Sequence, residues 1–201
     1  MKIDSVAKLR DIVAEPTGRS VIKTLTALEQ HSIHFLRLSP FAVISTFNSA
    51  GDVDTSPRGG EPGFVKVLDD KHVVIADAKG NRRQDSQINI IETGRIATLF
   101  FIPGVNETLR INGSASINDD EQILKLFTAE KQPALTYIEI NIEEVFLHCA
   151  KALMRSKLWS AQAQIPRDQF PTMSRMLNDQ TNSDEPEESQ QAMEARYQAD
   201  L

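Results

Sequence analysis

The sequence predicts a mainly β fold with helical additions (α+β), organised as a small antiparallel barrel. Helical periodicity gives way at Phe41 to short β-rich runs punctuated by turn residues. About six such runs follow with few long helices between them, which argues against a strand-helix-strand sheet. With 201 residues, 40% of them hydrophobic, the chain can bury one sizeable core and at most a small second lobe. The expected organisation is a helical extension at 1–38, the barrel domain at 39–160, and a polar, partly mobile extension at 161–201.

Each element has a local reason. Ser5 is placed to cap a first helix, with Val6, Leu9, Ile12 and Val13 on one face and Pro16 as its stop. A second helix is expected over residues 21–30, with Val21, Ile22, Leu25 and Leu28 as its apolar stripe. "FAVISTF" reads as a strand and "NSAGD" as the turn after it. "FVKVL" and "HVVIA" flank Asp69, Asp70 and Lys71 as a hairpin. "RIATLFFI" is almost continuously apolar, the pattern of a strand buried on both faces. "TLRINGSASI" is a strand in which Gly113 marks a bulge or a close approach. "LTYIEINIEEVFLHC" alternates apolar Ile138, Ile140 and Ile142 with polar Glu139, Asn141 and Glu143. Helices are expected to interrupt this series at 81–91, 119–128 and 149–160. Beyond Pro171 the chain turns polar and acidic, too poor in large apolar side chains to fix itself in place, except for a short helix near Glu194.

Composition narrows the function classes. A formal net charge of -6 gives no global reason to bind nucleic acid or an anionic membrane, so any anion site must be local. A single cysteine, Cys149, forms no intrachain disulfide and has no second cysteine at metal-ligand spacing. Asp4, Asp11 and Glu15 interrupt the N-terminal apolar positions, which is not the pattern of a signal peptide, and no run of about 18 apolar residues offers a membrane span. A cytoplasmic location is expected. HExxH, CxxC, P-loop and GxSxG patterns are lacking, and His72 and His148 fall in strand-like runs where a hydrogen-bonded structural role is expected.

Four stretches carry the chemistry. In "GNRRQDSQINI", Asn81 is a competent N-cap and Arg82 and Arg83 fall in the first turn of the expected helix. Cations are unfavourable there, unless an anion sits at the helix start and takes both guanidinium groups. The alternative is that the arginines lie in water and pair with Asp85 or a neighbouring carboxylate. "GDVDTSPRGGEPGF" is either a surface turn or a segment that lets backbone approach a ligand closely, with Arg58 as a further cation. "PGVNETLRINGSA" puts Thr108 and Arg110 on one strand face, at a ligand or simply in solvent. In "HCAKALMRSKLW", Lys151, Arg155, Ser156 and Trp159 lie near one helical face, where Trp159 either covers a flat ring or packs in the core.

Together, "SPRGGEPGFVKVLDD", "GNRRQDSQINI", "FFIPGVNETLRINGSA" and "HCAKALMRSKLW" resemble the pyridoxamine 5'-phosphate oxidase-like family of FMN-binding split barrels, over residues 39–159. The resemblance implies an antiparallel split β-barrel that forms a homodimer, with FMN at the interface contacted by both subunits. It implies a phosphate clamp of Asn81, Arg82 and Arg83, with Arg58 reaching the phosphate or ribityl chain. It sets the strand end from Ala76 and Asp77 to Lys79 beside the isoalloxazine, through main-chain groups. Thr108 stands where the family often has a glutamine from the other subunit, a departure from the pattern. Arg110, Ser156 and Trp159 are implied contributions of the second subunit. No counterpart of the true oxidase's C-terminal arginine and histidine substrate motif is found, so a vitamin B6 substrate is not expected.

The resulting expectation is a cytoplasmic, homodimeric FMN-dependent oxidoreductase without a named catalytic side chain, acting with a small-molecule substrate or a nicotinamide electron donor and with neither nucleic acid nor membrane. The alternative on the same barrel is a non-catalytic flavin- or haem-binding or sensing protein. A third is a dimeric interaction module with an empty pocket.

Overall fold

The structure, a computed structural model, describes residues 2–77, 82–127 and 133–198. Its centre is a seven-stranded sheet of β1 (Phe41–Phe47), β2 (Val53–Gly59), β3 (Val65–Val67), β4 (His72–Ala76), β5 (Arg95–Phe101), β6 (Thr108–Asn118) and β7 (Tyr137–His148). The order is β2-β1-β5-β6-β7-β4-β3, and each paired neighbour is antiparallel. The strands are bounded by helices α1 (Val6–Ile12), α2 (Arg19–Ile22), α3 (Gln30–Leu38), α4 (Asp85–Thr93), α5 (Glu121–Leu124), α6 (Lys151–Ser156), α7 (Met173–Thr181) and α8 (Gln190–Gln198). This is the mainly β, antiparallel architecture with helical additions that the sequence predicts.

The main core lies on one face of the sheet, and a smaller buried cluster of Val74, Ala76, Phe127 and Tyr137 lies on the other. Ile44, Phe100, Ile111, Ile140 and Val145 are fully buried in the main core against Leu36 of α3 and Ile90 of α4. Each such side chain contributes about 1.5–3 kcal/mol by leaving water. On β7 the predicted alternation holds through Ile142, and then the register against β6 shifts between Asn112 and Gly113. Gly113 is required at that point, because a Cβ there would lie 2.0 Å from the carbonyl oxygen of Asn141. The shift leaves Glu143 outside the ladder, and its carboxylate accepts two hydrogen bonds from Arg95, at 2.6 and 2.8 Å.

Several elements depart from the sequence expectation. The helix expected over 21–30 is replaced by the short α2 and by α3, which begins at Gln30. Leu25 instead makes an antiparallel bridge with Val145, its N–H and C=O bonded at 2.9 and 2.8 Å, and Glu29 caps α3 with its side chain. The stretch around Arg58 is an edge strand, β2, rather than a turn; Pro57 is tolerated because the edge needs no N–H on its outer side. β5 is buried on one face only, with Ala97, Leu99 and Phe101 half-buried on the other. α6 ends at Ser156, so Trp159 lies beyond the helix. In the C-terminal extension α8 contains Glu194 as expected and α7 is additional; neither has a buried residue.

Candidate functional site

A cleft of about 980 Å³ is lined by residues 54 and 56–59 of β2, by Phe64, Ile75, Ala76 and Asp77, by residues 82–87 before and at the start of α4, and by Pro133, Leu135 and Thr136. The volume is that of a small-molecule site.

Arg58 is half-buried, and its guanidinium donates to Ser56 Oγ at 2.6 Å and to the carbonyl of Pro57 at 3.0 Å. Burial lowers its pKa from the ordinary arginine value, and the nearby carboxylates of Asp77 and Asp54 oppose that shift. Asp77 follows β4, and its N–H donates to the carbonyl of Thr136 at 2.9 Å, so that amide is used within the chain. Burial raises the pKa of Asp77 above the usual carboxylate value, while Arg58 and hydrogen bonds from Gln87 and Thr136 pull it back. The Asp77 carboxylate accepts from Gln84 Nε2 at 3.2 Å and from Gln87 Nε2 at 2.5 Å.

The arginines that precede α4 are arranged differently from the sequence expectation. Arg82 and Arg83 lie in the turn before the helix, not in its first turn, because the helix begins at Asp85. An acidic residue in the first turn suits the helix dipole, where two arginines would oppose it. Arg82 and Gln84 both adopt left-handed backbone, with φ of 62° and 56°. Gln84 occupies the N-cap position without capping the helix by its side chain. Arg83 Nε donates to Asp85 Oδ2 at 2.8 Å, the pairing anticipated by the plainer sequence reading.

The cleft therefore gathers Arg58, Ala76, Asp77, Arg82 and Arg83 from the sequence-predicted set. Lys79 and Asn81 lie outside the described residues. Thr108, Arg110, Ser156 and Trp159 are not part of its lining. Thr108 is buried in β6, and Arg110 is held by Glu144 at 2.7 Å with its guanidinium 4.1 Å from the Phe146 ring centre. Ser156 donates to the carbonyl of Leu153, and Trp159 Nε1 donates to that of Val105 at 2.8 Å.

Sequence reasoning missed Asp54, Gln84, Ser86 and Gln87. Ser86 donates to Asp54 Oδ2 at 2.6 Å, which ties the helix start to β2. Gln87 is 5% exposed, and its Oε1 is buried without a hydrogen-bond partner. The available signal was polarity on the wrong side of an amphipathic helix: Ser86, Gln87 and Asn89 share the buried positions with Ile90. Among the described residues, no group of three or more His, Cys, Asp or Glu is placed to hold a metal ion, and no helix is long and apolar enough to cross a membrane.

The family model described as Pyridoxamine 5'-phosphate oxidase matches residues 28–149. Among solved structures, the chain is similar to HupZ of Group A Streptococcus, with 18% identity and a TM-score of 0.51 over 60% of this chain and 93% of that one. It is also similar to a candidate pyridoxamine 5'-phosphate oxidase of Lactobacillus delbrueckii, with 20% identity and a TM-score of 0.49 over 61% and 95% of the two chains. An FMN-binding protein of Syntrophomonas wolfei has 14% identity and a TM-score of 0.43 over 58% and 81%. No curated protein sequence matches the chain.

Proposed function

This chain belongs to the pyridoxamine 5'-phosphate oxidase-like family, and from that premise we propose that it is an FMN-dependent oxidoreductase that binds its flavin at a homodimer interface. The observation that carries the reading is the convergence of Arg58, Arg82 and Arg83 on one cleft with the start of α4, which Gln84 at the N-cap position leaves without a side-chain cap. Helix N–H groups without a side-chain cap and guanidinium forks are both complementary to a phosphate.

The residues present fit a flavin mononucleotide. Arg82 and Arg83 would hold the phosphate with the N–H groups at the start of α4, and Arg58 would reach it from β2. Arg83 would exchange its exposed bond to Asp85 for the phosphate, a small loss for a solvated pair. Phe64, Ile75, Pro57 and Leu135 offer apolar surface to a planar ring. The partnerless Oε1 of Gln87 marks a buried acceptor beside the cleft that a ligand N–H would satisfy after a small side-chain adjustment. When bound, the flavin supplies hydride and electron transfer, and the protein's task is to orient it and limit access.

A homodimer is supported by the sheet's second face. Phe41 and Phe101 pack there as a tilted pair with ring centres 5.9 Å apart beside half-buried Val43 and Leu99. Arg110, Ser156 and Trp159 would then serve the partner's cleft rather than their own.

The test is an absorbance spectrum of the purified protein, release and identification of any chromophore, and anaerobic reduction by a nicotinamide donor. Bound FMN that is reduced on mixing sustains the reading. A protein that takes up no added FMN overturns it, and one that binds FMN but is reduced by no donor is a flavin carrier or sensor. Sedimentation decides the assembly, since a monomer that retains FMN contradicts a shared site.

A further inference from the structure

We propose that Asp77 is a positioning residue: its carboxylate locks the turn that carries Arg82 and Arg83, and the start of α4, onto the end of β4. The inference builds on the proposed flavin site but is carried by separate geometry. Both carboxylate oxygens are engaged, Oδ2 by Gln84 and Oδ1 by Gln87. Those donors stand three residues apart, one on each side of the helix start, so a single carboxylate spans the junction between turn and helix.

The turn needs such a fastening. Arg82 and Gln84 hold left-handed backbone that side-chain-bearing residues seldom adopt, and such backbone persists only where its surroundings impose it. Gln84 lacks a capping bond to the helix and spends its amide on Asp77 instead. Gln87 is buried and cannot follow a displaced turn into solvent. The arginines are therefore presented at a fixed place only while Asp77 accepts from both glutamines.

An asparagine cannot do this, because its amide offers one acceptor oxygen and turns an NH2 donor toward the other glutamine. Protonation of Asp77 has the same effect reversibly. Among the described residues, Arg58 and Asp54 on β2, and Arg82, Arg83 and Asp85 at the helix start, are the other charged groups that line the cleft around it. Burial moves its protonation above the usual aspartate range. Anion affinity should accordingly fall with acidification from a higher pH than an exposed aspartate would dictate.

The experiment compares wild type, Asp77→Asn and Gln84→Ala as full chains. The first readout is trypsin cleavage after Arg82 and Arg83, located by mass spectrometry with no flavin present; both variants should be cut there faster than wild type. The second is the FMN dissociation constant against pH. It should rise about tenfold to a hundredfold in Asp77→Asn, the usual scale for losing a hydrogen bond to a charged group. The variant should also lack the acid-side step that wild type shows beyond the titration of the phosphate itself. Equal cleavage rates in wild type and both variants overturn the positioning role. Should Asp77→Asn fail to fold by circular dichroism, Gln84→Ala alone decides, by cleavage and affinity. Should wild type bind no FMN, the flavin reading falls while the cleavage assay still decides this one.

Discussion

Helices α3 and α4 each span nine residues and both pack on the sheet, yet they begin in opposite ways. At α3, Glu29 is extended, with φ of -117°, and its carboxylate accepts from the N–H groups of His31 and Ser32 at 2.8 and 2.7 Å. At α4, Gln84 is left-handed and caps nothing, and Arg82 and Arg83 stand just outside. A helix start costs little once its orphan N–H groups are satisfied, which is what α3 does with a side chain. Leaving those groups without a side-chain cap, beside cations and next to a cleft, makes sense where an external anion completes them. On the proposed reading, the first start serves stability and the second serves binding.

That contrast breaks most decisively at the arginines. Arg82→Ala with Arg83→Ala should raise the FMN dissociation constant by about a hundredfold or more, since two charge-assisted contacts are lost. The thermal midpoint without flavin should barely move, because the Arg83 to Asp85 pair is exposed. Unchanged affinity in a fluorescence titration would remove the phosphate clamp. Glu29→Ala is the mirror image: a loss of about 1 kcal/mol in urea unfolding, the usual worth of an N-cap, with FMN affinity unaffected. A loss of affinity there would mean that the two helix starts are coupled.

The same contrast explains what the sequence made legible. The strands of the core were readable because Ile138, Ile140 and Ile142 alternate with polar neighbours and one face is buried. Gly113 was readable because a glycine inside a strand signals close backbone approach. β2 was obscured by its glycines and Pro57, tolerated only because the strand lies at the sheet's edge, a tertiary fact. α3 was displaced because Leu25 pairs with Val145, 120 residues away along the chain by number, which no local periodicity reports. At the candidate site, the run "GNRR" singled out the arginines, but not the backbone that carries them. Asn81 was the better cap by residue type, so local propensity set the helix start too early; the tie from Gln84 and Gln87 to Asp77 depends on the fold.

A smaller effect separates strain from function at one residue. Arg82→Gly removes the side chain from a left-handed position that costs about 1–2 kcal/mol. Part of that is offset by the greater freedom of glycine in the unfolded chain, so a gain of about 0.5–1 kcal/mol in stability is expected. FMN affinity should fall in the same variant. Stability and binding moving in opposite directions is the mark of a strained functional turn; a loss of both would place Arg82 in the structural framework instead.

The smallest effect concerns the sign of the pH dependence. Burial alone would raise the Glu29 pKa, but hydrogen bonds from His31 and Ser32 outweigh it and the net shift is downward. A lowered carboxylate pKa contributes stability that is present above the unfolded value and is lost as pH falls through the folded one. Asp77 is shifted upward, so its contribution is present below the unfolded value and disappears as pH rises through its folded pKa. Unfolding free energies of wild type and Glu29→Gln should therefore converge as the pH drops below the ordinary glutamate range. Asp77→Asn, which stands in for the protonated carboxyl, should differ in the opposite sense: near wild type at low pH and gaining on it as the pH rises through the raised pKa. Parallel pH profiles for the two variants would show that the capped and uncapped helix starts respond to protons alike, and the division between them would not hold.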